Sequence, residues 1–316
     1  MLRLFAIKNN SIVEQPSDGA NAETIRQAAW IDAQDPDEAE REQLQLLLHT
    51  ELPESEDVEE IESSARFFVD AAGIHVHSLF LTQSEGRHVT TTVACILQPQ
   101  RLITVREVEL ADFRLLRMRA RRGQVRCSSP ADLLITLFDQ KVENLADSLE
   151  DIHRELEDTS RLVLEENDSD LEDAIDQLAK LEDSNGKIHL CLMDIQRSVT
   201  FLQRHMRDRL EMQQTCRELM SDLDTLISHT TFLFNKINFL MDSTQGFINI
   251  EQNQIIKIFS IAAVVFLPPT LIASIYGMNF EFMPELKWLG GYPMALVLMV
   301  LSGIAPYWYF KRKGWL

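Results

Sequence analysis

The stretch Ile258-Phe-Ser-Ile-Ala-Ala-Val-Val-Phe-Leu-Pro-Pro-Thr-Leu-Ile-Ala-Ser-Ile-Tyr276 carries no charge over nineteen residues and runs directly into Gly277-Met278-Asn279-Phe280. At ~1.5 Å of rise per residue, such a helix spans a bilayer core of roughly 30 Å. A second uncharged run of nineteen, Tyr292 to Phe310, follows a short loop. Both lie at the C-terminal end of the chain, so neither reads as a signal peptide. The chain reads as a membrane protein with two crossings.

The two crossings differ. Met294 to Leu301 is apolar all round, as expected of a helix facing lipid. In the first crossing, Leu267, Thr270 and Ser274 recur at helical spacing, and Asn253, Ile256 and Ser260 continue the stripe upstream. Polar groups in hydrocarbon cost free energy unless they meet partners or water, so this face is not expected to look at lipid. It reads either as a helix–helix contact joined by hydroxyl groups or as the lining of a pore. Pro268-Pro269 removes two backbone donors, which is tolerated in a membrane where protein or water serves the freed carbonyls.

Tyr276-Gly277-Met278-Asn279, then Phe280 to Leu286, then a crossing closed by Tyr309-Phe310-Lys311-Arg312-Lys313 resembles the CorA family of magnesium channels. That family's signature is a Gly-Met-Asn triplet after the first of two C-terminal crossings. The resemblance reaches back through Gly246 to Asn253 and, more loosely, along the whole chain. It implies a funnel-shaped homopentamer of the bacterial inner membrane, with the first crossing lining the pore. Gly277, Met278 and Asn279 would form the outer selectivity filter. It also implies that cytoplasmic divalent ions bridge carboxylates between subunits and hold the channel shut.

Composition agrees with an acidic domain attached to a membrane part. The 316 residues carry a formal charge of −19, and residues 1–257 hold 47 of the 49 acids but 26 of the 30 bases. For residues 1–257 this balance argues against nucleic acid or an anionic membrane surface as a partner and for solvated cations, although acidity also simply keeps a domain soluble. Cys95, Cys127, Cys191 and Cys216 form no paired motif, which fits a reducing compartment. Lys257 and Lys311-Arg312-Lys313 flank the crossings, so the positive-inside rule puts both termini in the cytoplasm and the Gly-Met-Asn loop outside.

The expected fold is α+β. Residues 1–127 read as a cytoplasmic α/β domain, 128–257 as a helical hairpin and stalk, 258–276 as the first crossing, 277–291 as a periplasmic loop, 292–310 as the second crossing and 311–316 as a basic tail. Strands are expected over Arg3 to Lys8, Ile12 to Gln15 and Ala28 to Ala33, with Asp35-Pro36 opening a helix through Leu47. Hairpins are expected for Ala65–Asp70 with Ile74–Leu81, and for Val89–Leu97 with Leu102–Glu107. His75 and His77 share a strand face and, with His88, offer imidazole ligands; a polar stripe on a half-exposed strand is the plainer reading. The arginine-rich helix Asp112 to Arg122 is expected to pair with acidic surface, including the run Glu51 to Glu62.

Beyond Ser129-Pro130 the pattern is helical. Seams run through Phe138, Val142, Leu145, Leu149, Ile152 and Leu156, through Ile188 to Met206, and through Cys216 to Leu240. The first two helices should form a hairpin with an acidic tip, and residues from about 215 to 275 read as one helix ~90 Å long.

Two crossings cannot enclose a pore, so transport requires a homo-oligomer in the bilayer. Neither crossing contains Asp or Glu, and rings of neutral oxygen suit a hydrated Mg²⁺ that keeps its waters. Asn253, Thr270 and Ser274 offer such oxygens, Ile256, Phe259 and Leu267 offer apolar constrictions, and Asp242 follows further inward. Glu218, Asp222 and Asp224 are candidate regulatory ligands. The cargo is expected to include Co²⁺ and Ni²⁺. A zinc transporter of the ZntB type and a non-conducting two-crossing sensor are the alternatives. No phosphate-binding loop, nucleophile elbow or paired cysteine motif is present, so neither an enzyme nor an organic cofactor is expected.

Overall fold

The structure, a computed structural model, describes residues 1–15, 22–48, 66–84, 86–165, 170–206, 210–279, 281 and 283–315. The chain divides into two compact units, Met1–Met241 and Asp242–Leu316.

The first unit is built on a seven-stranded sheet in the order β2-β1-β3-β7-β6-β5-β4. β1 (Leu2–Lys8) and β2 (Ser11–Gln15) are antiparallel across Asn9-Asn10. Both asparagines have positive φ, the conformation a tight two-residue hairpin needs. β3 (Trp30–Gln34) lies antiparallel to β1 and parallel to β7 (Leu102–Arg106). β7, β6 (Arg87–Leu97), β5 (Ile74–Ser84) and β4 (Phe67–Val69) then continue antiparallel. The strand positions and both hairpins expected from sequence are present. Gly73 joins β4 to β5 with φ +145, and a β-carbon there would overlap the Leu97 carbonyl, so only glycine fits.

Alternation along the strands builds two cores. Leu4, Ile31, Ile96 and Ile103 face α1 (Ala22–Gln27) and α2 (Glu38–Leu48), where Ile25, Leu44 and Leu48 cover them. Phe5, Trp30, Cys95 and Leu102 point the other way, toward α3 (Ala111–Arg121), α4 (Pro130–Glu165) and α5 (Leu171–His205). The short α1 was not expected, and α2 is opened by Asp37 rather than Asp35-Pro36. Asp37 Oδ1 accepts from the Glu40 amide and Glu40 Oε2 accepts from the Asp37 amide, a reciprocal cap.

α4 and α5 form the expected hairpin, and Asp170 caps α5 by accepting from the amides of Glu172 and Asp173. Every member of the α4 seam, from Phe138 to Leu156, is buried. α6 (Leu210–Tyr276) is a single helix of 67 residues that passes through Pro268-Pro269 without a break. Cys216, Leu219, Leu223, Leu233, Ile237 and Leu240 bury its seam within the first unit.

Two buried ionic networks tie the layers of this unit. Asp32 on β3 accepts from Arg106 on β7 at 3.0 and 3.1 Å and from Arg117 on α3 at 3.2 Å. Lys141 on α4 donates to Ser78 on β5 at 2.9 Å, and Ser78 in turn donates to Asp194 on α5 at 2.6 Å. Each buried charge in these two networks therefore has partners, which its desolvation requires.

Candidate ion-conduction face and outer loop

The second unit contains two helices long and apolar enough to cross a membrane: the C-terminal part of α6 and α7 (Gly291–Arg312). Their contact includes a glycine of α7 set against a proline of α6. A β-carbon on Gly303 of α7 would stand 3.4 Å from Pro269 Cγ and 3.7 Å from the Val265 carbonyl oxygen of α6. Proline at 269 removes the amide that would have bonded this carbonyl, so glycine brings α7 in where the α6 backbone lacks its own donor. The covered residues of the crossing, Ile261, Ala262, Val265, Pro268, Pro269, Ile272 and Tyr276, fall on this side of α6.

The polar stripe lies on the opposite side. At ~100° per residue, Asn253, Ile256, Ser260, Leu267, Thr270 and Ser274 share one face about half a turn from the contact with α7. All six are exposed in the single chain, Ile256 at 61% and Leu267 at 65%. Phe259, 71% exposed, borders this stripe, and Asp242 lies on the same line nearer the first unit. The Thr270 hydroxyl donates to the Phe266 carbonyl at 2.8 Å, which leaves its oxygen lone pairs facing outward. Within one chain, α7 therefore does not serve this stripe.

α6 ends at the Gly-Met-Asn triplet. The Gly277 amide donates to Ala273 O at 2.9 Å and the Met278 amide to Ile275 O at 3.3 Å. A β-carbon at 277 would stand 3.2 Å from Ala273 O, so a side chain there crowds the last turn. The final carbonyls of a helix lack intrahelical donors and form the negative end of its dipole, an arrangement that favours a cation. Met278 and Asn279 sit exposed beside that end. The loop returns through a 3₁₀ turn, Pro284–Lys287. The Gly291 amide then donates to Trp288 O at 3.0 Å, and a β-carbon on Gly291 would overlap the Glu285 carbonyl. Trp288 and Tyr292 at this end of α7, and Tyr307, Trp308 and Tyr309 at the other, are exposed in the manner of interfacial aromatic belts.

In the first unit, Glu218, Asp222 and Asp224 are exposed on α6. Glu218 accepts from Gln214 at 3.1 Å and Asp224 from Gln196 at 2.8 Å. Asp222 faces Asp139 of α4, an acid that periodicity alone does not single out because it flanks the seam residue Phe138. Burial, then Glu143 and Asp222, push the Asp139 carboxyl above its ordinary range. Among the described residues, no three His, Cys, Asp or Glu side chains of one chain come together to hold a metal ion.

The histidine reading needs correction. His75 and His77 are 3% and 1% exposed, not a half-exposed stripe. His75 pairs with Asp70 at 2.9 Å, neither ring nitrogen of His77 has a hydrogen-bond partner among the described residues, and His88 contacts Gln83 near the hairpin's far end. Burial, with His75 and Arg66 nearby, lowers the His77 pKa to about 4. Three arginines of α3 do pair with acids: Arg117 with Asp32 and Glu109, Arg119 with Glu143, and Arg121 with Glu14. The run Glu51 to Glu62 lies outside the described residues.

Comparison with known proteins bears directly on this arrangement. The family described as CorA-like Mg²⁺ transporter protein matches residues 26–312. The magnesium transport protein CorA of Escherichia coli (strain K12) is 47% identical over 318 residues, covering 100% of both chains. Among solved structures, the complete CorA magnesium transporter of Methanocaldococcus jannaschii superposes with a TM-score of 0.77 at 18% identity, covering 100% of this chain and 99% of that one. The full-length CmaX protein gives 0.70 at 15% identity, covering 98% and 96%. Those two likenesses establish the fold: an N-terminal α/β domain, a long helix and two C-terminal apolar helices. Identity near one half along the full length of both chains carries more, and this protein belongs to the CorA-like Mg²⁺ transporter family.

Proposed function

We propose that this chain is the subunit of a passive, gated magnesium channel of the bacterial inner membrane, assembled as a homopentamer with both termini in the cytoplasm. The observation that carries the reading is the sidedness of α6. Its oxygen-bearing stripe faces away from α7 and ends beside the exposed Met278 and Asn279, where the helix dipole is negative. A two-helix anchor has no use for an unserved polar face in hydrocarbon.

In the assembled channel, Gly277, Met278 and Asn279 form the outer filter. Amide and carbonyl oxygens there hydrogen-bond the coordinated waters of a hydrated cation, which suits an ion that gives up its water reluctantly. Asn253, Thr270 and Ser274 repeat that chemistry inward, Ile256, Phe259 and Leu267 narrow the path with apolar side chains, and Asp242 draws the ion on toward the cytoplasm. Co²⁺ and Ni²⁺ of similar hydrated size share the route. The driving force is the membrane potential, worth ~4.6 kcal/mol for a divalent ion at about 100 mV.

Closure follows from cytoplasmic Mg²⁺ binding, with Glu218, Asp222 and Asp224 as ligands. Since no chain by itself gathers three acidic or imidazole ligands among its described residues, the closing ion is shared between neighbouring copies. Such a site exists only when the subunits are packed, so occupancy favours the shut assembly.

The test is Mg²⁺ uptake into proteoliposomes loaded with an indicator dye, for the unaltered chain and Asn279→Ala. Uptake that disappears in the variant, with the oligomer intact, supports the filter. Equal uptake removes Asn279 from that role. Zn²⁺ entry without Mg²⁺ entry replaces the magnesium reading with a ZntB-type one, and no flux of either ion leaves a sensor.

A further inference from the structure

We propose that the C-terminal end of α7 is a docking collar for the phosphodiester headgroups of anionic phospholipids; this rests on α7 crossing the bilayer. Three consecutive bases close the helix, and each lies over an aromatic ring four residues back. Lys311 Nζ is 6.0 Å from the Tyr307 ring, Arg312 Cζ 5.7 Å from Trp308 and Lys313 Nζ 5.6 Å from Tyr309. The rings hold the aliphatic stems along the helix while the charged heads stay exposed.

Gly314, with φ +70, turns the chain so that the Trp315 amide donates to Phe310 O at 3.1 Å, and the Trp315 ring stacks on Phe310 with centroids 5.6 Å apart. Tyr307, Trp308, Tyr309 and Trp315 thus stand at one level around the helix, 46–63% exposed, with the three charges immediately beyond them. At ~100° per residue, successive bases point in widely different directions. Gly303 meets α6 and the buried Ala295 lies on the same side of α7, so Trp308 and Arg312, about half a turn away, face the opposite way. None of the three bases is in an ion pair among the described residues, so their charge is unspent. An aromatic ring level followed by unpaired cations matches the order of interface and headgroup phosphate met along a membrane normal. A circumferential arrangement fits many headgroups rather than one pocketed anion.

The test reconstitutes the full chain, carrying Trp288→Phe to confine the membrane signal to Trp308 and Trp315, in vesicles of brominated phosphatidylglycerol or brominated phosphatidylcholine. Trp30 is buried in the first unit and adds a constant background. Tryptophan quenching should show a preference for the anionic lipid of roughly tenfold or more. It should fall to parity in K311Q/R312Q/K313Q and survive in K311R/K313R, which keeps every charge. Parity in the chain with its bases intact overturns the proposal. So does a preference that persists in the triple variant, or one that inorganic phosphate competes away, which would mark a free-anion site. Quenching by neither lipid would mean that α7 is not in the bilayer, and both readings fall together.

Discussion

Gly303 of α7 sits against Pro269 of α6 so closely that a β-carbon added to the glycine would stand 3.4 Å from the proline ring. The contact matches a missing side chain to a missing amide, since position 269 lacks the donor that would keep the Val265 carbonyl within its own helix. Alanine at 303 just fits, whereas a branched side chain forces the helices apart. Gly303→Val should lower stability by roughly 1–3 kcal/mol and reduce uptake several-fold, with Gly303→Ala close to the unaltered chain. Thermal melting of the purified oligomer alongside the uptake assay checks both values.

Asp32 neutralises two buried guanidiniums, Arg106 and Arg117, and is itself 0% exposed. Asp32→Asn keeps the shape and removes the charge. Leaving the two arginines with the half-exposed Glu109 as their shared acid should cost about 3 kcal/mol. Denaturant titration, followed through far-UV circular dichroism, measures it; a loss below about 0.5 kcal/mol, the size of an ordinary surface substitution, would mean that Glu109 alone satisfies both arginines.

His77 gives the first unit a pH dependence of defined sign. Its folded pKa is lowered to about 4 by burial, and by His75 and Arg66, whereas the unfolded value is near 6.5. Between those limits the unfolded chain takes a proton that the native state refuses. Stability therefore falls as the pH drops from about 6.5 to about 4, by roughly 3 kcal/mol in all, and levels off below. His77→Leu should flatten that part of the profile, and an unchanged slope would assign it to other groups.

Glu218, Asp222 and Asp224 are exposed, and Glu218 and Asp224 accept hydrogen bonds from the side-chain amides of Gln214 and Gln196. Combined Glu218→Gln, Asp222→Asn and Asp224→Asn should leave the chain folded, since surface substitutions rarely exceed about 0.5 kcal/mol each. In the proposed mechanism, uptake then continues at internal Mg²⁺ concentrations that shut the unaltered channel. Rates measured against preloaded internal Mg²⁺ decide the matter: identical inhibition would exclude these acids as closing ligands.

The sequence by itself determined the elements whose signal is long and uniform. Nineteen uncharged residues are long enough for a spanning helix, and the absence of a breaker between Met212 and Pro268 predicts the unbroken α6. Tertiary structure decided what depends on direction and on distant neighbours. The stripe from Asn253 to Ser274 is legible as a stripe, but that it faces away from α7 follows from where Gly303 meets Pro269, and helical spacing carries no record of which side a second helix chooses. Asp139 gains its meaning only when α6 brings Asp222 opposite it. His75 and His77 read as a polar surface because imidazole is polar, yet packing buries them, since a sheet's two cores take whatever residues the register delivers. Local chemistry sets which residues prefer helix, strand or membrane; burial and pairing are sums over residues far apart in the chain, and only the folded arrangement supplies them.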